Sequence, residues 1–107
     1  MATFYKNAKL DLTTTGATVL YTAPSATTAI FKSLLVVDDS GSTSTITVTL
    51  TDSASAVFVI YNVLATVANA TAELLTQPLV VQESEILTVT AGNANRLHVI
   101  GSYLEIT

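Results

Sequence analysis

The sequence predicts an all-β protein: an antiparallel β-sandwich or jelly roll of about seven to nine short strands. Three observations lead there. Period-2 alternation of apolar and polar residues runs through most of the chain, as on strands whose side chains point to opposite faces in turn. Half of the 107 residues are hydrophobic, while 19 Thr and 9 Ser far outweigh the 11% that are charged. Turn residues recur at short intervals, which sets the strand lengths.

The elements follow in order. Phe4 to Leu12 reads as an edge strand, and residues 1–12 as a possible N-terminal arm. Thr18 to Thr22 is a short strand that ends at Ala23-Pro24-Ser25, since Pro24 cannot donate to a ladder. Ala29 to Val37 is apolar on both faces apart from Lys32 and Ser33, which suits a central strand covered on both sides. Asp38-Asp39-Ser40-Gly41-Ser42 is turn chemistry. Thr45 to Thr51 alternates without a fault, with Ile46, Val48 and Leu50 opposite four Thr. These two strands are expected to pair as a hairpin. Val57 to Val63 is an apolar and aromatic strand; Ala65 to Leu75 is an irregular loop or short strand. Pro78 precedes the strand Leu79-Val80-Val81, and Glu83-Ser84-Glu85 breaks it. Ile86 to Thr90 alternates again. Ala91-Gly92-Asn93-Ala94-Asn95 then turns into a last strand, Arg96 to Ile106. The whole of residues 1–107 reads as one domain, as its length favours.

Composition excludes several classes. The apolar fraction is too high for disorder. A net charge of −4 argues against nucleic-acid binding by a basic face, and Lys6, Lys9, Lys32 and Arg96 are scattered. No Cys is present, so neither a disulfide framework nor a zinc finger forms. The longest apolar runs fall far short of the roughly 18–20 residues of a membrane-spanning helix. Met1 to Lys6 lacks the apolar stretch of a secretory signal. No membrane partner and no cofactor are expected.

Chemistry-bearing residues are sparse. His98 is the single histidine. A catalytic reading makes it a general base near Ser102, but no Gly-x-Ser-x-Gly elbow accompanies it. Asp38 and Asp39 with Ser40 and Ser42 offer oxygens to calcium but lack the twelve-residue loop pattern. Glu83 and Glu85 form a like-charged pair that fits a solubilising loop. Asn69-Ala70-Thr71 matches a glycosylation sequon by chance frequency alone. The Thr-x-Thr row of residues 45–51 fills a solvent face with high β-propensity, and one such row makes no ice-binding array. No set of acid, base and nucleophile converges, so no enzyme is expected. Phe31, Phe58 and Tyr61 read as core or inter-sheet packing. Tyr21 and Tyr103 lie where a hydroxyl reaches the sheet rim. Phe4 and Tyr5 on the arm can anchor into a neighbour or fold back. The candidate interface residues are therefore Phe4, Tyr5, Tyr21 and Tyr103.

Twelve charges serve the whole surface, where a small soluble domain usually carries about 25–35% charged residues on its outside. Together with the doubly apolar strand, this predicts an obligate oligomer or a bound subunit of an assembly.

The stretch Ala17-Thr18-Val19-Leu20-Tyr21-Thr22-Ala23-Pro24 leads into the apolar strand Ala29 to Val37. It is followed by a Ser/Gly turn and a Thr-rich strand (Ser40 to Thr51) and closed by Leu97-His98-Val99-Ile100-Gly101-Ser102-Tyr103-Leu104-Glu105-Ile106. This pattern resembles small virion proteins of tailed bacteriophages. The resemblance implies a structural role in a virion, foremost a capsid decoration or cement protein. Such a protein would be made in the host cytoplasm and placed on the capsid surface. Its implied partners are itself, as a homotrimer, and the major capsid protein. A tail, neck or baseplate component is the alternative, and a carbohydrate-binding β-sandwich module a more remote one, lowered by the lack of Trp.

Overall fold

The computed structural model describes residues 2–107; Met1, the first residue of the expected domain, lies outside them. Nine strands are present: β1 (Thr3–Leu12), β2 (Thr18–Thr22), β3 (Thr28–Asp38), β4 (Thr45–Thr51), β5 (Val57–Ala65), β6 (Ala70–Glu73), β7 (Leu79–Val81), β8 (Ile86–Ala91) and β9 (Leu97–Ile106). Among the described residues there is no helix, hence none long and apolar enough to cross a membrane.

Two antiparallel sheets face each other. Sheet A runs β1-β9-β3, with β6 and β7 sharing the far edge of β3; sheet B runs β2-β8-β4-β5. The pairing is nested, first strand with last, second with second-last, and so inward to β4 with β5. A long double ribbon rolled on itself gives this order, the jelly roll.

The register explains the core. On β9 the inward residues are Leu97, Val99, Gly101, Tyr103 and Glu105, all buried. Those of β4 are Ile46 and Val48, and those of β8 are Leu87, Val89 and Ala91. Two bulges reset the alternation. On β3 the register shifts between Phe31 and Ser33, so exposed Lys32 is the extra residue and both Phe31 and Leu34 point inward. On β2 the shift between Val19 and Tyr21 buries Leu20 and Tyr21 side by side.

The β6/β7 edge is one strand broken in two. Glu73 covers the gap: its carboxylate accepts bonds from Ser33 Oγ (2.5 Å) and the backbone N–H of Leu34 (2.7 Å) and Leu75 (3.3 Å). Pro78, which has no N–H to offer, stands just before the ladder resumes at Leu79.

One expectation is overturned. β3 and β4 do not form a hairpin: β3 pairs with β9, β6 and β7, and β4 with β5 and β8. Residues 39–44 instead cross from sheet A to sheet B. The crossing is anchored by buried Asp38, which accepts from Ser40 N–H (3.2 Å), Ser40 Oγ (2.9 Å) and Thr66 Oγ1 (2.9 Å). Thr66 Oγ1 in turn accepts the Ser44 N–H at 2.9 Å. Inward residues of β3 and β4 therefore meet across the sandwich, not side by side. Asp38 is thus a folding element, and its oxygens are already engaged.

Candidate interaction surface

Three local groups bring ionisable residues together with charged or hydroxyl partners. In the first, Glu105 sits inward on β9 with 6% exposure. Lys6 Nζ, from β1, lies 2.6 Å from its carboxylate, and the Tyr21 hydroxyl donates to it at 2.5 Å. The Lys6 bond first, and the Tyr21 bond next, hold Glu105 below the usual glutamate range. Burial, then the bond to Glu105, pushes the Tyr21 phenol well up. Tyr21, Phe31 and Tyr103 complete this corner as an aromatic trio, with Phe31 stacked on Tyr103 at 4.7 Å.

The second group is Asp38. Burial would raise its carboxyl, but the bonds from Ser40 and Thr66 and the nearby Arg96 charge outweigh that and lower it. In the third, His98 Nε2 lies 3.3 Å from Asp11 Oδ1 and Nδ1 lies 3.7 Å from Asp39 Oδ2. These groups border an open groove of about 270 Å³ lined by Lys9, Leu10, Asp11, His98 and Ile100. Ser102 lies four residues along the same strand, about 13 Å away, beyond the reach of a proton transfer. Among the described residues no cluster of three metal-ligating side chains occurs.

The outward faces are chemically plainer. On sheet B, Val19, Thr88, Thr49 and Val59 form a row across all four strands. Ile86, Thr51 and Val57 make a second row, and Thr90 and Thr47 a third pairing. The Thr row of β4 is therefore half of a two-strand grid, joined in register by Thr88 and Thr90; only the register reveals this. None of these positions carries a charge. On sheet A, Tyr5, Leu104, Ile30 and Val80 form an apolar row four strands wide. Leu35 and Ile100 form a pair further along. No third layer covers either face among the described residues.

The aromatic residues divide between surface and core. Phe4 and Tyr5 lie on β1, 50% and 81% exposed. Residues 3–12 of the arm are paired with β9, and the Lys6 ammonium lies 5.7 Å from the Phe4 ring centre. Tyr21 and Tyr103 are largely buried in the trio, 8% and 9% exposed. Tyr61 is half-buried and donates to the Leu74 carbonyl at 2.6 Å. Phe58, expected in the core, is 57% exposed. It stands opposite Leu50 on an edge strand, where the second sheet does not reach over it.

β5 is the surface that sequence reading missed. Val57, Phe58, Val59 and Val63 are all more than half exposed, and the strand pairs on one side only, with β4. The available signal was the absence of charge: none occurs from Ser53 to Ala72. Compared with family models, with curated proteins and with solved structures, the chain gives no match.

Proposed function

We propose that this chain is a non-enzymatic structural subunit of a tailed-phage virion, and in the first place a capsid decoration or cement protein. The observation that carries the reading is the surface. An uncharged, partly apolar face on sheet B, an apolar row on sheet A and an apolar edge surround a small jelly roll whose buried carboxylates are tied up in internal bonds. Exposed apolar patches of this extent mark interaction sites. A cement protein works by such surfaces: it binds the assembled shell and not the free subunits, and so stabilises the shell by mass action. The major capsid protein is the partner in this reading.

The test is co-sedimentation of the purified chain with tail-free shells that lack it. Saturable binding at a fixed ratio to the shell subunit, with a raised shell melting temperature, is the expected result. No binding to shells overturns the decoration role. Binding to isolated tails instead moves the chain to the tail or baseplate.

A further inference from the structure

The sandwich has four free edges, and three of them are guarded. β1 carries Lys6, Lys9 and Asp11. β2 is five residues long, bulged, and followed by Pro24. The β6/β7 edge is broken in two, with Glu73 in one half and Pro78 before the other. Charge, brevity, interruption and proline are the devices that stop an edge from pairing with another chain. β5 is nine residues long and has no charge and no proline. Its two register shifts, between Val59 and Tyr61 and between Tyr61 and Leu64, bend the edge but leave it apolar. At the second, Val63 holds φ at 52°, a backbone conformation rare for a β-branched residue. Strain of this kind gathers where a surface has work to do.

We infer that β5 is a self-association surface. A second copy of the chain lies along it, antiparallel, about a twofold axis near Ile60. Val57 and Val59 of each copy then meet the Tyr61 to Val63 end of the other. The partner is a second copy for two reasons. First, each chain carries a net charge of −4, so two copies repel at a distance, and β5, which brings no charged residue to the contact, adds least to that repulsion. A twofold contact is self-complementary, and an uncharged apolar edge satisfies itself. Second, the edge offers apolar contact on both sides of its backbone. Val57, Phe58, Val59 and Val63 are 59%, 57%, 56% and 62% exposed, Val57 and Val59 opposite Thr51 and Thr49 on one face and Phe58 opposite Leu50 on the other. A ladder along β5 covers part of each, which with its main-chain bonds makes a small interface whose occupancy rises with concentration. The bulges restrict any ladder to short segments, and the twofold closes at two copies instead of growing into a fibre. A dimer then replaces the threefold self-assembly that the phage resemblance implies. For its setting the inference rests on the reading as an assembling subunit; the contact itself is tested on the isolated chain.

The experiment is light scattering across a concentration series up to about 100 μM, with hydrogen exchange of the peptide covering residues 57–65. The expected mass is twice the 11.2 kDa of the chain, with β5 amides protected more strongly as concentration rises. Val59→Lys gives a monomer, and Val57→Lys repeats the test should the first variant fail to fold. Val19→Lys, the same change at 52% exposure on the opposite edge of sheet B, leaves the dimer intact. A monomer throughout the series, a threefold mass, or a dimer that survives both β5 lysines overturns the inference. A dimer that ignores shells upholds this contact and removes the virion role; a monomer that binds shells does the reverse.

Discussion

Replacing Gly101 by alanine adds one methyl group where the core has no space. A Cβ there would lie 2.7 Å from Phe31 Cε2 and 3.1 Å from Phe31 Cδ2, with Leu20 Cδ2 at 3.6 Å. Carbon atoms settle at about 3.5–4.0 Å, so the ring must yield by close to 1 Å. It has little freedom to do so. Phe31 is fully buried, stacked on Tyr103 with planes 21° apart, and meets Tyr21 edge-on at 5.3 Å. Tyr21 is held in turn by its bond to Glu105, so the trio moves together or not at all. Overpacking by one methyl costs about 1–3 kcal/mol, and the locked trio places this case in the upper half, near 2–3 kcal/mol. At roughly 4–8 °C per kcal/mol for a domain of this size, the melting temperature should fall by about 10–20 °C. Urea unfolding followed by tyrosine fluorescence measures the loss, with the slope against denaturant unchanged. A loss below about 0.5 kcal/mol, the size of a neutral surface change, would refute the claim that Gly101 is kept small by Phe31. Adding Phe31→Leu to the alanine variant should recover part of the loss, with a coupling above about 0.5 kcal/mol.

Three further outcomes follow from the bonded carboxylates and their partners. Tyr21→Phe keeps the ring but takes a donor from a buried carboxylate, and should cost about 2 kcal/mol in chemical denaturation, as for hydrogen bonds to charged groups; an unchanged midpoint counts against the bond. Glu105, Glu73 and Asp38 are all held below their ordinary values of 4.5, 4.5 and 3.8. Their stabilising contributions are therefore complete above those values and lost as pH falls through the lowered ones. The melting temperature should drop on acidification below about pH 4, less steeply in Glu105→Gln, and a temperature that rises on acidification contradicts the assignment. Thr66→Val strands the Ser44 N–H, worth about 1–3 kcal/mol, and frees one Asp38 oxygen; Thr66→Ser should restore most of the loss in the same thermal melt.

Local structure was readable because its causes are local. Thr18–Thr22, Thr45–Thr51 and Leu79–Val81 fall on the expected bounds, since alternation, proline and acidic turn residues mark them directly. Pairing is a different matter. The pattern Val36-Val37-Asp38-Asp39-Ser40-Gly41 is the same whether the chain turns back in one sheet or passes to the other. What decides is the nested pairing of strands far apart in sequence, and the buried bond from Thr66 to Asp38, which joins residues 28 positions apart. The Lys6–Glu105 pair was hidden for the same reason. A glutamate at an inward position of β9 is the one trace it leaves in the sequence. Phe58 was misplaced because an apolar run signals burial, and the run alone does not tell a central strand from an uncovered edge. The arm residues Phe4 and Tyr5 were legible as aromatics that anchor into a neighbour or fold back; the row that Tyr5 starts, through Leu104, Ile30 and Val80, required the register.

The nested pairing also sets when this chain can fold. Thr3 pairs with Ile106, and Ala2 and Thr107 exchange both backbone bonds, N to O at 3.2 Å and 2.9 Å. While the polypeptide grows on the ribosome, the first strand made must wait for the last, and β2 waits nearly as long for β8. Until then β1, β2 and β3 lack their main partners, and the ladders that can form earlier are β4 with β5 and the short ones of β3 with β6 and β7. Such distant closure makes for slow folding, with apolar strands exposed in the interval to other nascent chains. A stop within the last ten codons of β9 would leave β1 and β3 without the strand that joins them, so the protein should tolerate circular relinking of Ala2 to Thr107 far better than the loss of its final strand.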